Sequence, residues 1–323
     1  MSSRRISLTV VVVSYNTREL LRDCLLSILQ HAPVGTEVIV VDNASTDGSV
    51  ELVRSEFPSV SIIANTQNLG YPKAVNQGLG LGSGDYFLVL NADVRLTRGT
   101  VKALSTYMEA HAHVGIAAPA NVTPEGESML TVHHDVTLGR EILRNLFFTD
   151  IWRYRICGRV IARRLRSPTV VDWVTGSCLM VRREVLETVG GMDNAVFMYG
   201  EEYDWQLRAR KAGWEIHFVP QATVVHHKSA SADRKWSTER YRVVTRSTYY
   251  FYVKHHGWWG LPVLVFAHVI GSGLRLIISG ILYLVGFKAS YAQLREHTAV
   301  IRDALSPELY RWLRERVASR GTD

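Results

Sequence analysis

The first third of the chain alternates between short apolar runs and longer stretches in which apolar residues recur every three or four positions. The short runs are rich in Val and Ile and lack a polar face, as expected for parallel strands covered on both sides. They span residues 8–13, 37–41, 60–64, 84–94 and 114–118. Helical patterns separate them, and we expect Asn16 to cap the first helix. The alternation predicts an α/β fold with a doubly wound, mostly parallel sheet.

Later in the chain the same two patterns return over residues 170–225. Helical patterns cover residues 183–189 and 201–212, and we expect two short strands at 215–218 and 223–225. Regular structure is thus expected to return after the interruption at residues 119–170.

Two segments depart from this alternation. Residues 140–166 carry eight arginines among large apolar and aromatic residues, which suits an anionic membrane surface or a solvated amphipathic helix. Residues 258–287 are largely apolar, but a Gly-Ser-Gly break and Arg275 interrupt them, so we expect an interfacial or re-entrant hairpin. The sequence therefore divides into a first domain, residues 1–238, and a helical C-terminal region, residues 239–323.

Composition narrows the range of partners. The chain has 323 residues, of which 47% are hydrophobic and 21% charged, enough to bury a sizeable core. Its net charge of +7 favours an anionic partner such as a nucleotide or a phospholipid. Nucleic acid is the weakest candidate, because the basic residues follow no helix-turn-helix, zinc-finger or RNA-recognition pattern. The three cysteines lie far apart, which argues against a disulfide framework or a Cys-based zinc site.

The strand pattern at 84–94 ends in Asn91-Ala92-Asp93, which places two oxygen-bearing side chains one residue apart. Side chains at positions i and i+2 of an extended segment point to the same side, so Asn91 and Asp93 can converge on one ligand. Open α/β sheets bind ligands beyond the carboxyl ends of their strands. A divalent cation carrying a diphosphate would suit these oxygens, whereas the alternative is a strand that ends in an Asx-type turn.

Two further polar groups follow predicted strands. Asp42 can accept hydrogen bonds from a base or a ribose, or it can cap the next turn. Lys73 and the amides between Asn68 and Asn76 lie at a helix N-terminus, a position that favours an anion. A dinucleotide-binding oxidoreductase would need a Gly-x-Gly-x-x-Gly motif after the first strand, and residues 14–19 contain no glycine.

The last candidates are acidic and imidazole side chains. Glu201, Glu202 and Asp204 crowd three carboxylates into four residues. One of them could have a raised pKa and act as a general base, or the cluster could serve only the helix macrodipole. His226 and His227 follow a predicted strand and could bind a metal, or they could be ordinary surface residues.

In combination these motifs resemble inverting family 2 glycosyltransferases of the GT-A fold, within the branch that includes bacterial rhamnosyltransferases. The matching segments have the order and spacing of that family and extend from about residue 6 to residue 231. They are residues 11–16, 40–49, 68–71, 90–93, 175–180 and 199–204. The resemblance implies a Rossmann-like GT-A domain, here followed by a helical extension that we expect to associate with a membrane.

The resemblance also implies individual roles. Asp42 would contact the nucleobase of a nucleotide-sugar donor, and Asp93 would touch Mg²⁺ or Mn²⁺ at the family's Asp-x-Asp position. Glu202, or alternatively Glu201, would be the catalytic base, and His226 would assist at the metal. The other residues expected at the donor are Ser14, Tyr15, Asn16, Asn68, Lys73, Asn76, Asn91, Ala92 and Gly176. Further candidates are Asn91, Asp204 and His227.

The implied reaction is a single in-line displacement that inverts the anomeric carbon of the donor sugar. The expected donor is dTDP-rhamnose, with UDP-sugars and GDP-mannose as alternatives. The expected acceptor is a glycan or a polyprenyl-diphosphate-linked sugar, used in cell-surface polysaccharide synthesis at the cytoplasmic face of the bacterial inner membrane. A soluble acceptor and a catalytically silent binding protein are the alternatives, and the oligomeric state is open.

Overall fold

The computed structural model describes residues 7–147, 165–227, 237–286 and 290–318. The chain forms two compact units. The described parts of unit 1 are residues 7–134, 165–197 and 201–227, and those of unit 2 are residues 135–147, 198–200, 237–286 and 290–318.

Unit 1 contains the strands and six helices within its described residues. The strands are β1 (Leu8–Ser14), β2 (Glu37–Asp42), β3 (Ser61–Ala64), β4 (Tyr86–Asn91), β5 (Val94–Leu96), β6 (Val114–Val122), β7 (Ser128–Met129), β8 (Val132–His133), β9 (Thr169–Val170), β10 (Trp173–Val174), β11 (Cys178–Arg182) and β12 (Glu215–His226). The helices are α1 (Arg18–His31), α2 (Ser49–Glu56), α3 (Tyr71–Leu81), α4 (Thr100–Ala110), α6 (Arg183–Val189) and α7 (Glu201–Lys211). The intervening α5 (Leu138–Phe147) belongs to unit 2.

The main sheet has the strand order β3-β2-β1-β4-β11-β6-β12-β5, with β7 beside β6 and β9 beside β12. Strands β1, β2, β3, β4, β6 and β12 point the same way, because β11 is antiparallel to both of its neighbours, β4 and β6. Strands β8 and β10 form a separate two-stranded sheet. The predicted α/β fold with a mostly parallel sheet is confirmed.

Helices cover the sheet on both faces, which explains the unbroken apolar runs. Val10 and Val12 of β1 join a core cluster with Leu25 of α1 and Leu104 of α4. Val11, which points to the other face, joins a second cluster with side chains of α3, α6 and α7. Strands buried on both faces carry no polar alternation.

Strand β12 corrects one prediction. The two short strands expected at 215–218 and 223–225 are one strand of twelve residues. Its pairing with β6 is irregular between Val219 and Thr223. Pro220 and Gln221 lie at this irregularity, and these polar or non-donating residues interrupted the apolar pattern in the sequence.

Unit 2 consists of α5, α8 (Ser237–His256), α9 (Leu261–Leu284), α10 (Ser290–Ala304) and α11 (Pro307–Ala318) within its described residues. Most of the predicted basic segment 140–166 lies outside the described residues. In the part described, the buried Glu141 carboxylate is 2.5 Å from Arg144 Nη2 and 3.7 Å from His268 Nε2. Helix α5 therefore packs on α9 through a buried polar contact.

The hairpin predicted at 258–287 is wrong, because α9 is one continuous helix of 24 residues. By length and composition it could cross a membrane. Gly271 does not break α9: a Cβ there would lie 2.5 Å from the backbone oxygen of Asn145, so the glycine makes room for α5. Arg275 donates to the same oxygen at 3.1 Å. A glycine inside a helix costs about 1 kcal/mol relative to Ala, and this packing offsets that cost.

Candidate active site

The candidate residues of unit 1 lie along one edge of the sheet. Because β1, β2, β4 and β12 point the same way, their last residues lie at the same edge. Ser14 pairs with Asp42, and Val13 pairs with Asn91. Strand β11 runs in the opposite direction, so the segment before it, which contains Gly176, also reaches this edge. Ligands of open α/β sheets bind at this edge.

Asp93 and His226 form the centre of the edge. Asp93 Oδ1 lies 3.3 Å from His226 Nε2, and both side chains are only 12% exposed. The pairing of Val94 with His226 brings β5 and β12 together and so sets this distance. The backbone N–H of His227 donates to the Asp93 carbonyl at 3.0 Å, which fixes the turn.

Asn91, two residues before Asp93, offers a further oxygen atom that could bind a metal. Its Oδ1 is buried and has no hydrogen-bond partner among the described residues. The residue between them, Ala92, is buried in the core and contributes no polar side-chain atom. A buried amide oxygen without a partner is unfavourable unless it meets water or a ligand. His227 Nε2 is likewise buried without a hydrogen-bond partner in the described part of the chain.

Asn121 holds His226 from the other side and was not predicted from the sequence. Its Nδ2 donates to Ser177 Oγ at 2.6 Å and lies 3.5 Å from His226 Nδ1. Asn121 is buried on β6, as the second-to-last residue of that strand. This contact leaves the Nε2 atom of His226 directed toward Asp93. The only sequence signal is a buried polar residue near a strand end.

The buried Asp42 carboxylate forms a second polar pocket. Its Oδ1 accepts a hydrogen bond from Ser45 N at 2.8 Å, whereas its Oδ2 is buried without a hydrogen-bond partner among the described residues. Ser14, whose Oγ lies 3.0 Å from Thr17 Oγ1, pairs with Asp42 on the adjacent strand. The exposed side chain of Tyr15 follows directly. One oxygen of Asp42 thus lacks a hydrogen-bond partner among the described residues.

Asn16 does not cap α1, and that prediction is wrong. Helix α1 begins at Arg18, its N-cap residue is Thr17, and the N–H of Arg18 donates to Asp47 Oδ2 at 2.9 Å. Asn16 instead has a φ of +53° and accepts a hydrogen bond from Thr46 N at 2.8 Å, while its own N–H donates to Ser45 Oγ at 2.8 Å. It therefore joins the loops after β1 and β2.

Asn43 orders the loop that precedes α3 and was also missed. Its Nδ2 donates to the Gly70 carbonyl at 3.1 Å, and its Oδ1 accepts from Leu69 N at 3.1 Å. Asn68 Oδ1 accepts from Gly70 N at 3.0 Å. Gly70 has a φ of +87°, and a Cβ there would lie 2.5 Å from the Phe197 carbonyl oxygen, so only glycine fits.

Lys73 and Asn76 both lie in α3, but their side chains have different surroundings. Lys73 is exposed in the first turn. Asn76 turns its amide to the loop before α7: it donates to the Met192 carbonyl at 2.7 Å and to Asn194 Oδ1 at 2.8 Å, and it accepts from Met192 N at 2.8 Å. The structure thus gives Asn76 a positioning role within the fold.

The two consecutive glutamates at the start of α7 differ in environment. Glu201 is buried, and its Oε2 has no hydrogen-bond partner among the described residues. Burial raises the pKa of the Glu201 carboxyl well above its usual range, and the negative charge of Glu202 adds to this effect. Glu202 is only partly buried and borders Gly176. The two carboxyls therefore differ in burial and in access to solvent.

Tyr71 connects these carboxylates with the Asp93 region. Its hydroxyl donates to the Gly176 carbonyl at 3.4 Å. Burial raises the pKa of Tyr71 well above its usual value, and the charges of Glu201, Glu202 and Asp93 raise it further. The phenol therefore stays neutral and can act as a hydrogen-bond donor among three acidic groups.

Asp204 has a structural partner. Its Oδ2 lies 2.8 Å from Arg208 Nε, and Arg208 also donates to the carbonyls of Val189 and Gly191. Gln206, fully buried, exchanges two hydrogen bonds of 2.8 Å with the backbone of Val174. These contacts anchor α7, and with it Glu201 and Glu202, to the segment that leads to Gly176.

The chain matches the family model described as Glycosyl transferase family 2 over residues 9–190. It also has a relative from Mycobacterium tuberculosis that is 33% identical over 277 residues, covering 79% of this chain and 87% of the relative. The chain therefore belongs to glycosyl transferase family 2 and is a glycosyltransferase, as the sequence motifs implied.

The Mycobacterium tuberculosis relative is named N-acetylglucosaminyl-diphospho-decaprenol L-rhamnosyltransferase. A second relative, the dTDP-rhamnosyl transferase RfbF of Shigella flexneri, is 25% identical over 219 residues and covers 67% of each chain. Among solved structures, the mannosyltransferase PcManGT from Pyrobaculum calidifontis, in complex with GDP-Man and Mn²⁺, superposes with a TM-score of 0.56 at 19% identity. It covers 94% of this chain and 87% of its own, and this likeness confirms the GT-A fold.

Proposed function

We propose that this glycosyltransferase transfers L-rhamnose from a nucleotide donor, dTDP-rhamnose, to a sugar carried on a polyprenyl diphosphate. Two named relatives are rhamnosyltransferases, one of which has a name that specifies a decaprenol-linked acceptor. The observation that carries the proposal is the single sheet edge on which the Asp42 pocket, the Asp93–His226 pair and the Glu201–Glu202 pair lie.

The nucleotide portion of the donor would bind at the ends of β1 and β2. The Oδ2 atom of Asp42 would accept a hydrogen bond from the base. A buried acceptor without a partner is unfavourable, so this bond would stabilise the bound state. Tyr15 and Asn16 would form the exposed wall of this pocket, and Asn68 and Lys73 would lie near the phosphates. Asn76 contributes indirectly, through the loop that it holds.

The residues beside Asp93 fit a divalent cation. A carboxylate, an imidazole and a buried amide oxygen form a mixed oxygen and nitrogen donor set, which suits Mn²⁺ and, through the oxygens, Mg²⁺. Asp93 and His226 would hold the ion, with Asn91 as a further ligand. When bound, the ion would supply positive charge to the diphosphate leaving group. His227 fixes the Asp93 backbone, and Asp204 is committed to Arg208.

Glu202 would be the catalytic base. Glu201 is buried and its pKa is raised well above the ordinary range, whereas Glu202 is partly exposed and borders Gly176, so Glu202 is the better placed of the two to take a proton from an acceptor. Glu202 would take the proton of the acceptor hydroxyl as that oxygen forms a bond to the anomeric carbon. The bond from that carbon to the diphosphate oxygen breaks at the same time, and the nucleoside diphosphate leaves with the electron pair. Attack opposite the leaving group inverts the anomeric centre.

A membrane-bound acceptor agrees with the surface of α9. One side of this helix exposes large apolar residues at helical spacing, which are Val263, Phe266, Ile270, Leu274, Ile277 and Ile281. An exposed apolar face of this kind is typical of a surface that contacts a bilayer or another protein. We therefore place the enzyme at the cytoplasmic face of the bacterial inner membrane, where nucleotide sugars are available.

The test is release of nucleoside diphosphate by the full chain from a panel of dTDP-, UDP- and GDP-sugars. Each donor is measured with Mn²⁺, Mg²⁺ or EDTA, and with or without a short polyprenyl-diphosphate-GlcNAc acceptor. We expect release from dTDP-rhamnose, dependent on metal and stimulated by the lipid. Asp93→Asn should abolish release, whereas Asp85→Asn, which alters an exposed carboxylate at the amino end of β4 and so at the opposite edge of the sheet, serves as the matched control. Preference for UDP-sugars or GDP-mannose would overturn the donor assignment, and binding without release would indicate a silent binding protein.

A further inference from the structure

Two histidines and a glutamate form a compact group at the opposite edge of the unit 1 sheet. Glu215 Oε2 lies 2.7 Å from His217 Nε2 and 3.5 Å from His113 Nε2. All three ligand atoms lie within 4.8 Å of one another. A tetrahedral ion with bonds of about 2.1 Å would hold its ligand atoms about 3.4 Å apart. Small side-chain rotations would therefore suffice to bring these three atoms around one ion.

The backbone sets the positions of all three residues. Glu215 and His217 are the first and third residues of β12, so their side chains point to the same side of the strand. The N–H of Glu215 donates to the His113 carbonyl at 3.0 Å, which fixes the turn before β6 against the start of β12. Because β6 and β12 are parallel, this group lies at their amino ends, away from Asp93 and His226.

The surroundings of His217 match those of a metal-binding histidine. His217 is buried, and its Nδ1 lies 2.9 Å from the Tyr107 hydroxyl. Metal-binding histidines have their second ring nitrogen held by such a partner, which fixes the ring and its tautomer. The Tyr107 ring is itself stacked on His111 with centroids 4.2 Å apart. With a proton on Nδ1 directed at the Tyr107 hydroxyl, Nε2 could bind a cation, which would replace the proton that His217 Nε2 shares with Glu215 Oε2 at 2.7 Å.

The group is also accessible. The side chains of His113 and Glu215 are 55% and 42% exposed, so an ion can enter from solvent and water can complete its coordination. Among the described residues this is the single set of three such side chains with ligand atoms this close. Two imidazoles and one carboxylate match Zn²⁺ and its neighbours in the transition series, whereas Mg²⁺ and Ca²⁺ prefer oxygen alone.

We propose that His113, Glu215 and His217 bind a divalent transition-metal ion of the Zn²⁺ class. The ion would join the turn after α4 to the first residues of β12 and so brace the amino-terminal edge of the sheet. This site is separate from the one at Asp93, and the proposal is independent of the donor and acceptor assigned above.

The test is equilibrium dialysis of the full chain against Zn²⁺ in the presence of excess Mg²⁺, followed by elemental analysis and thermal unfolding. Asp93→Ala is used as the background in all samples, so that the other candidate metal site does not contribute. We expect one Zn²⁺ per chain and a rise in the melting temperature, because an ion that binds only the folded state stabilises it. The double variant His113→Asn and Glu215→Gln should lower zinc affinity by at least about tenfold.

The matched control is the double variant His134→Asn and Asp172→Asn, which removes another partly exposed histidine–carboxylate pair, 3.1 Å apart, that is not part of a three-ligand group. It should retain the zinc and the thermal shift. Tyr107→Phe should weaken binding with little effect on the fold at low zinc. Absence of stoichiometric zinc in the parent protein, or its full retention in the His113 and Glu215 variant, would overturn the proposal.

Discussion

The backbone of Gly176 lies against the side chain of Glu202. A methyl group added at Gly176 would sit 3.1 Å from Glu202 Cβ and 3.5 Å from its Cγ. No larger side chain can occupy this position without moving the glutamate or the segment before β11. The small residue in the Thr-Gly-Ser motif thus sets where the proposed base can point.

Gly176→Ala should lower the turnover number by about tenfold, because displacement of a catalytic group by a fraction of an ångström disturbs the aligned geometry. Donor affinity, measured by calorimetry, should change little. Gly80→Ala is the matched control, since it lies in α3 with nothing within 4 Å of the added Cβ. That variant should keep full activity and gain up to about 1 kcal/mol of stability. Equal turnover in both variants would contradict the proposed position of the base.

Glu202→Gln should reduce transfer by about 10² to 10⁴-fold while donor binding persists, since the amide cannot accept the acceptor's proton. Single-turnover assays with a bound donor separate the chemical step from binding. Glu201→Gln, which replaces a carboxyl that already holds its proton, should retain much more activity than Glu202→Gln. The reverse order of the two variants would assign the base to Glu201.

Glu201→Gln should also change how stability depends on pH. Because the folded pKa of Glu201 is raised above its ordinary value of 4.5, the folded state keeps a proton that the unfolded state loses. The free energy of unfolding therefore falls as pH rises above 4.5 toward the folded pKa, by up to about 1.4 kcal/mol per pH unit. The Gln variant lacks this loss, so its melting temperature should exceed that of the parent at neutral and alkaline pH but not in acid. Parallel melting curves across pH would contradict the burial argument.

Asn121→Ala should weaken metal activation rather than the chemical step. It removes the side chain that contacts His226 Nδ1 and Ser177 Oγ, so the imidazole loses a support opposite Asp93. The Mn²⁺ concentration for half-maximal activity should rise by about 10 to 100-fold, as for other residues that orient metal ligands. Saturating Mn²⁺ should restore most of the rate. A fall in rate that no Mn²⁺ concentration restores would show a different role.

Charge on the exposed face of α9 should disrupt membrane association. Ile277→Glu places a carboxylate in the middle of the apolar stripe, where 62% of the side chain is exposed. It should abolish flotation with anionic liposomes and leave activity on a water-soluble acceptor analogue. Val34→Glu, at an exposed position of unit 1, is the control and should float normally. Flotation of the Ile277 variant with the liposomes would exclude this face.

Much of unit 1 followed from the sequence because its strands are buried on both faces. The Val-rich run of β1 predicts a buried strand, and the Asn-Ala-Asp segment that ends at Asp93 predicts a polar strand end, from the sequence alone. Contacts between distant residues are not predicted in this way: Asn121 bonds Ser177, 56 positions away. Likewise the spacing of the three carboxylates alone does not separate Glu202 from Asp204, whereas the structure buries Asp204 and pairs it with Arg208.

The error at α9 has a related cause. The Gly-Ser-Gly segment and Arg275 interrupt an apolar run, and from residue order they indicate a break. In the structure Gly271 and Arg275 both contact α5. Gly271 leaves room for the backbone of Asn145, and Arg275 donates a hydrogen bond to the Asn145 carbonyl. A glycine can end a helix, or it can leave room for a neighbouring helix. The local sequence does not distinguish these two cases here, because the neighbour of Gly271 is more than a hundred residues away in the chain.

The reversed strand β11 has a consequence for how this protein could be re-engineered. Most of the donor-side residues, from Ser14 to Asp93, precede β6, whereas Gly176, the two glutamates and His226 come later in the chain. Strand β11 begins at the edge of the sheet where β1, β2 and β4 end. The segment that contains Gly176 therefore lies beside the residues that end those strands, although it comes much later in the chain. Exchange of residues 170–211 between relatives should therefore transplant acceptor preference while leaving nucleotide preference with the recipient, which makes the two specificities modular.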